Sequence, residues 1–232
     1  ELRTPIAVVR SSLDNLQVDV IPSDGISGTN FYALKAANFK PNRKGIFHYA
    51  VNLHQFNGLS DTYGNGEIGG DDLILANHCR GNDLSGVQAA ALAMHELGHN
   101  LGLRHGGPSD LDAKSPNYNS VMNYRYVLGV DRNCDARGDL VPAYSSGTRP
   151  PLDENAVIES NGVCQGGPGI DWNGSGTITS DPFAYDLNGD AARRILRDHD
   201  DAALLSLPFA SSDSDGASAE PLEWAVELSS GS

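Results

Sequence analysis

The chain has 232 residues, of which 39% are hydrophobic and 20% are charged, as expected of one domain with a single sizeable core. Asp and Glu number 30 against 16 Lys and Arg, a formal net charge of −14, which argues against binding to nucleic acid or to an anionic membrane surface. No apolar run reaches the length of about 18 residues that a membrane-spanning helix needs.

Four elements are predicted in the first quarter of the chain. Thr4-Pro5 is a helix-start signal, and apolar residues then follow at helical spacing, which predicts a backing helix: Ile6, Val9, Leu13 and Leu16. Residues 17–21 alternate as a strand does, and residues 30–39 predict a short helix. Residues 45–53 are rich in β-forming residues and predict a buried strand.

Three further elements are predicted after this region. The short apolar run over residues 73–76 predicts a strand. Residues 87–101 are rich in Ala and Leu without an internal proline, and they predict a helix that Asp83 or Ser85 can cap. The chain then becomes rich in Gly, Pro, Asn and Asp, which predicts loops, until residues 191–205 predict a terminal helix.

The helix over residues 87–101 carries the residues that point to a metal. His95 and His99 are four positions apart, so their imidazoles project from one helix face, one turn apart. Gly102 tolerates a positive φ and can end the helix, which would let His105 turn back to the same ion. Three histidines with one open position are the arrangement of a catalytic zinc site.

Glu96 directly follows the first of these histidines, so its carboxylate can lie beside the metal without binding it. The open position would hold a water whose pKa zinc lowers to about 7. Glu96 could take a proton from that water and later pass it to a leaving amine. The sequence therefore predicts zinc-dependent hydrolysis with Glu96 as general base and acid.

A second motif follows downstream, in the run Ser120-Val121-Met122-Asn123-Tyr124. This Ser-x-Met-x-Tyr run resembles the Met-turn of the metzincin zinc endopeptidases. The HExxHxxGxxH pattern of residues 95–105 resembles the zinc-binding motif of the same proteases. The resemblance implies that Met122 forms an apolar floor beneath the three histidines. It also implies that Tyr124 either binds zinc in the resting enzyme or stabilises the tetrahedral intermediate. Gly106, after the third histidine, does not match the best-known branches, so the branch stays unassigned.

The same resemblance implies an α+β fold. A twisted mixed sheet, a backing helix and the active-site helix would lie above the cleft, and an irregular lower part would end in a C-terminal helix. The upper part would span about residues 1–105 and the lower part about 106–210, and the polar tail 211–232 would fray. Residues 73–76 would be the antiparallel edge strand that pairs with an extended substrate.

Two acidic loops in the lower part offer oxygen ligands for calcium. Residues 171–178 place oxygen side chains at alternate positions with a glycine at the sixth, as an EF-hand loop begins, but Pro182 replaces the closing acid. Residues 186–190 begin in the same way, and the alternative for both loops is a pair of Asx turns. The candidate ligands are Asp171, Asn173, Ser175, Asp186, Asn188 and Asp190.

The chain has three cysteines and four histidines outside the zinc motif. Cys134 and Cys164 lie in the loop-rich part and are the preferred disulfide, whose loop closure would stabilise the fold by about 3–4 kcal/mol. Cys79 would remain a free thiol. Two groups are predicted to have no functional role: the histidines His48, His54, His78 and His199, and the solvated acidic residues Asp61, Glu67, Asp71 and Asp72.

These features predict a secreted, monomeric zinc endopeptidase that acts on polypeptides. The chain begins at Glu1 without a signal-like segment, as expected of either a processed secreted protein or a trimmed chain. Two alternatives stay open: a zinc amidase acting on a non-peptide or cell-wall substrate, and a catalytically silent binding module stabilised by zinc and calcium. Glu96 argues against the silent module, because a structural zinc site needs no base and usually has four protein ligands.

Overall fold

A computed structural model describes residues 6–9, 29–43, 46–54, 62–79, 81–164 and 166–206. The chain has a mixed α+β fold, as predicted at the level of fold class. It divides into two units, of which the first holds the residues up to Gly102 together with Ser206 and the second holds Leu103–Leu205. The predicted strand over residues 17–21 and the predicted tail lie outside the described residues.

The first unit is built on a four-stranded sheet. Its strands are β1 (Ile6–Val9), β2 (His48–Leu53), β3 (Gly64–Gly66) and β4 (Asp72–Ala76), in the spatial order β1-β2-β4-β3. β2 runs parallel to both β1 and β4, whereas β3 is antiparallel to β4. β2 and β4 are almost entirely buried, as expected of inner strands with a parallel partner.

Two predictions for this sheet are wrong. Residues 6–9 form β1 and do not begin a helix, because β-branched residues and parallel pairing with β2 outweigh the local helix-start signal. The run over residues 73–76 does lie in a strand, but β4 is an inner strand, and β3 is the antiparallel edge strand among those described. The sequence of β3, Gly-Asn-Gly, has no β-forming side chain and therefore no strand signal.

Two helices pack with the strands of this unit, and both were predicted. The first is α1 (Thr29–Asn38), and the second is α2 (Gly86–Asn100), which follows a small hairpin of β5 (His78–Cys79) and β6 (Asn82–Asp83). A short 3₁₀ turn, Pro41–Arg43, follows α1. The helix α2 begins at a capping box, in which Ser85 and Gln88 each bond the backbone nitrogen of the other.

A buried ion pair links α1 to the sheet. The Lys35 ammonium lies 2.9 Å from an oxygen of Asp71 and 2.7 Å from an oxygen of Asp72. Burial alone would lower the pKa of Lys35, but these carboxylates raise it to about 12. Asp72 is only 1% exposed, so the prediction of a solvated acidic loop is wrong at that residue.

The second unit contains little regular structure among its described residues. Its elements are β7 (Leu152–Asp153), a 3₁₀ turn (Glu159–Asn161), β8 (Ile195–Leu196) and α3 (Asp201–Leu204). β7 and β8 pair in antiparallel fashion. The helix predicted over residues 191–205 is therefore wrong except in its last part. Ala191 has a φ of +63°, which no helix allows, and the helix begins only after the Asp200 cap.

Three loops of this unit share one backbone geometry. Each has the pattern Asp-x-Asn-x-(Asp/Ser)-(Gly/Ala), and they begin at Asp131, Asp171 and Asp186. In every loop the sixth residue has a positive φ and donates its amide to the first aspartate: Ala136 at 3.0 Å, Gly176 at 2.7 Å and Ala191 at 2.8 Å. The chain thus builds the same turn three times.

The predicted disulfide between Cys134 and Cys164 is confirmed. Their Cα atoms are 5.7 Å apart, and 30 positions separate them in the chain. This bond ties the first of the three repeated loops to the segment that follows the 3₁₀ turn. The side chain of Cys79 lies outside the described part of the structure, and its free thiol stays a prediction.

Candidate metal centre

Three histidines converge at the end of α2. The Nε2 atoms of His95 and His99 are 3.1 Å apart, close to the separation of about 3.3 Å that two imidazoles adopt on one tetrahedral zinc ion. After the helix, Gly102 takes the predicted positive φ, at +91°. One ligand atom of each of His95, His99 and His105 lies within 4.8 Å of the other two. We call these residues the three-histidine centre.

The donor set of the three-histidine centre fits a metal ion. All three side chains are buried, at 0%, 5% and 4% exposure, so an ion there would be shielded from solvent on most sides. Imidazole nitrogens suit zinc and its neighbours in the first transition row, whereas calcium and magnesium require oxygen ligands. Three protein ligands leave one tetrahedral position open for a reacting group.

The end of α2 is fixed to the sheet by the residue that follows His99. Asn100 is fully buried, and its amide donates to the backbone oxygens of Glu67 and Asp72, each at 2.8 Å. Its side-chain oxygen lies 2.9 Å from Nδ1 of His48. The backbone oxygen of His99 also accepts from the amide of Gly69 at 2.8 Å. These bonds fix the last helical turn, which carries the second ligand.

Asp110 orients His105, the third predicted ligand, and the motif did not predict this contact. One of its carboxylate oxygens lies 2.8 Å from Nδ1 of His105 and accepts from the His105 backbone nitrogen at 2.9 Å. Its other oxygen accepts from Arg104 at 3.1 Å. Partial burial alone would raise the pKa of Asp110, but the bonds from His105 hold it well below its ordinary range. A proton held on Nδ1 leaves the Nε2 lone pair for a metal.

We expect Asp110→Ala to weaken zinc binding at the three-histidine centre by about 10–100-fold, because the third imidazole loses the partner that fixes its orientation. Competition with a chromogenic chelator measures that affinity directly. Asp153→Ala, at an exposed strand residue of the same unit, is the matched control. Equal zinc affinities for the two variants would show that Asp110 does not support the ligand.

Glu96 is held tightly against the edge strand. It is only 2% exposed. A Cβ atom at Gly64 would fall 2.2 Å from a carboxylate oxygen of Glu96, and one at Gly66 would fall 2.6 Å from its backbone oxygen. Any other residue at these two positions would therefore displace Glu96 or the strand. Burial also raises the pKa of Glu96 well above its ordinary value.

The Met-turn residues lie in the second unit. Met122 is fully buried and packs in a cluster with Leu103 and Tyr118. The ring of Tyr124 stacks on the ring of His105, with centroids 4.1 Å apart and planes 24° apart. The stacking brings Tyr124 to one predicted ligand, while the roles of Met122 as floor and of Tyr124 in chemistry stay predictions.

Asp201 anchors the turn that precedes Met122, and no local sequence pattern predicted this role. Its buried carboxylate accepts from the hydroxyls of Tyr118 and Ser120, both at 2.6 Å, and from the backbone nitrogen of Ser145 at 2.8 Å. The Ser120 oxygen in turn accepts from the Met122 amide at 3.1 Å. The first residue of α3 thus holds the turn before Met122 in place.

The predicted calcium ligands are engaged in local hydrogen bonds. Both carboxylate oxygens of Asp171 and of Asp186 accept backbone amides of their own loops. The other candidates each accept the amide two residues ahead: Asn173, Ser175, Asn188 and Asp190. Two fully buried carboxylates, Glu159 and Glu154, accept further amides from the same two loops. The Asx-turn alternative accounts for these hydrogen bonds, and calcium binding stays a prediction.

The three-histidine centre, Glu96 and Tyr124 are the basis for a functional assignment, because no family model, curated protein or solved structure matches this chain. The spacing of the motif and the contacts of its residues must therefore support the assignment directly.

Proposed function

We propose that this chain is a zinc-dependent endopeptidase. The observation that carries the proposal is the buried group of His95, His99 and His105, together with the buried Glu96, which directly follows His95 in the sequence. The resemblance of residues 95–105 and of the Ser-x-Met-x-Tyr run to the metzincins supports the same reaction.

In the proposed reaction the three histidines would hold the ion. When bound, zinc polarises the scissile carbonyl and acidifies a water molecule. Glu96 accepts a proton from the attacking water as the new C–O bond forms. It then delivers this proton to the leaving amine as the C–N bond breaks. Burial favours this role, since a raised pKa makes the Glu96 carboxylate a stronger base. Asp110 keeps His105 oriented throughout.

The position of β3 favours an extended polypeptide over a non-peptide amide. β3 is an edge strand among the described residues, and Gly64 and Gly66 place it against Glu96. An extended peptide can add to such an edge as a further strand, held by backbone hydrogen bonds. A peptide on β3 would lie beside the proposed base.

Mass spectrometry of the products from an unfolded casein tests the proposal. We expect cleavage at internal peptide bonds, loss of cleavage with a zinc chelator, and recovery when zinc is restored. Hydrolysis of a cell-wall amide with intact casein would favour the amidase. A zinc-loaded chain that cleaves neither substrate would favour the silent binding module.

We also propose that the protein is secreted. The disulfide between Cys134 and Cys164 is compatible with an oxidising, extracellular compartment. In the part of the chain that the structure describes, no helix has the length and apolar character to cross a bilayer.

Tyr124→Phe should lower kcat by about 10–10³-fold with little change in KM, because the hydroxyl would act mainly in the transition state. The Phe ring can keep the stacking on His105, so zinc should remain bound. Steady-state kinetics on a defined peptide measures the change, with Tyr185→Phe at an exposed tyrosine as the control. An unchanged kcat would assign Tyr124 to packing alone.

Gly64→Ala should reduce kcat/KM by up to about 10²-fold, since the new methyl group would push the Glu96 carboxylate out of position. Gly86→Ala is the matched control, because a Cβ atom there meets nothing within 4 Å. Kinetics and zinc content are measured for both variants. Wild-type turnover in Gly64→Ala would show that the close approach of β3 does not position the base.

A further inference from the structure

A second group of metal-ligand side chains lies in the first unit, outside the three-histidine centre. It consists of His54, which follows β2, His78 in β5 and Asp83 in β6. One ligand atom of each residue lies within 4.8 Å of the other two. We propose that this group, which we call the hairpin group, is a second binding site for a divalent transition-metal ion such as zinc.

Backbone pairing brings the three residues of the hairpin group together. The amide of His78 donates to the backbone oxygen of His54 at 2.7 Å, so the two histidines lie side by side on neighbouring segments. His78 and Asp83 are directly paired across β5 and β6. The amide of Leu84 closes the hairpin by donating to the oxygen of Asn77 at 2.7 Å. The main chain therefore places all three side chains on one small scaffold.

The side chains of the hairpin group converge on one oxygen atom. Oδ1 of Asp83 lies 2.7 Å from Nδ1 of His78 and 3.9 Å from Nε2 of His54. The two imidazole rings stack, with centroids 4.8 Å apart and planes 17° apart. Two protonated imidazoles would repel each other in this arrangement, whereas neutral ligands of one cation would not. One carboxylate oxygen thus faces two imidazoles.

The donor set indicates which ions would bind. Two imidazole nitrogens and one carboxylate oxygen suit Zn²⁺, Cu²⁺ and Ni²⁺, and a site of this kind leaves other positions for water. The side chains of His54 and Asp83 are 69% and 79% exposed, so small rotations can bring the ligands to bonding distance. The same exposure predicts weaker binding than at the buried three-histidine centre.

A third group of metal-ligand side chains lies in the same unit and consists of the acids Glu67, Asp71 and Asp72. It is a weaker candidate for a metal site than the hairpin group. The ammonium of Lys35 already supplies its cation, at 2.7 Å from Asp72. No lysine or arginine side chain pairs with Asp83 among the described residues. The hairpin group is therefore the better candidate for a metal ion.

Equilibrium dialysis of the metal-free full chain against buffered Zn²⁺ tests the proposal. We expect two zinc ions per wild-type chain, one in His78→Gln, one in His99→Ala and none in the double variant. His199→Gln should keep both ions and controls for the loss of a histidine. All chains carry Cys79→Ser, so that no free thiol can supply a ligand. His54→Gln and Asp83→Asn, at exposed side chains, repeat the test if His78→Gln does not fold.

The NMR signals of the His54 and His78 rings should shift only when the second, more weakly bound zinc ion binds. A wild-type chain that binds one zinc ion, retained in His78→Gln and lost in His99→Ala, would overturn the second site. A single ion that is lost in His78→Gln and retained in His99→Ala would instead overturn the three-histidine centre. The two failures are therefore distinguishable, and a hairpin group without zinc is a pair of stacked histidine rings with a hydrogen bond between His78 and Asp83.

Discussion

Replacing Glu96 by Gln should lower peptide cleavage by about 10²–10⁴-fold while leaving zinc at the three-histidine centre. The amide has the shape of the carboxylate but cannot accept a proton from water, and general base catalysis typically contributes this factor. The side chain is buried against β3, so a replacement of equal size keeps its neighbours in place.

Cleavage rate and zinc content are measured on the same preparation of the Glu96→Gln chain. Glu67→Gln is the matched control, since Glu67 is a half-buried glutamate of the same unit that lies outside the centre. Near-native turnover in Glu96→Gln would remove the proposed base. Loss of zinc from this variant would show that Glu96 acts as a ligand.

His99→Ala should abolish both zinc binding at the centre and cleavage. His99 supplies one of the three imidazole nitrogens, 3.1 Å from Nε2 of His95. The two imidazoles that remain are too few to hold the ion in a buried site. Zinc at a hundred times its Kd should stabilise the folded chain by about 2.7 kcal/mol, and His99→Ala should lose that gain.

Thermal unfolding with and without zinc measures this stabilisation, in a His78→Gln background so that the hairpin group does not contribute. His199→Gln in the same background is the control and should retain the full zinc shift. An equal zinc shift in His99→Ala would mean that the ion is held elsewhere.

The three-histidine centre was predictable because its geometry is local. Helical periodicity places His95 and His99 on one face, and the positive φ of Gly102 lets the chain turn toward His105 within three residues. The helix that carries two of these ligands also has its start signal in the sequence, at Ser85. Spacing along one short segment therefore predicted the three histidines that the structure brings together.

The residues that support the centre were not predictable, because tertiary approach sets their roles. Asp110 is one of many acidic residues in a loop-rich sequence, and only the fold brings it to Nδ1 of His105. Gly64 and Gly66 matter because Glu96 of α2 lies too close to them for a larger residue to fit. Asp201 reaches Ser120 across 81 positions of the chain. None of these contacts leaves a pattern in the local sequence.

The errors in the fold have the same origin. Residues 6–9 satisfy a helical spacing, yet pairing with β2 makes them a strand. The repeated loop beginning at Asp131, Asp171 and Asp186 did have a signal, the shared Asp-x-Asn-x-(Asp/Ser)-(Gly/Ala) pattern. At Asp171 and Asp186 the start of this pattern suggested calcium, which stays a prediction, and the structure shows the same residues in backbone hydrogen bonds.

A zinc titration of the metal-free chain, with cleavage of an unfolded polypeptide followed at each addition, is the most direct measurement of the proposed function. We expect activity to rise in proportion to zinc bound at His95, His99 and His105 and to level off at one equivalent. The Glu96→Gln chain should bind the same equivalent and remain inactive. A chain that fills the three-histidine centre with zinc and still cleaves no peptide bond would contradict the assignment as an endopeptidase.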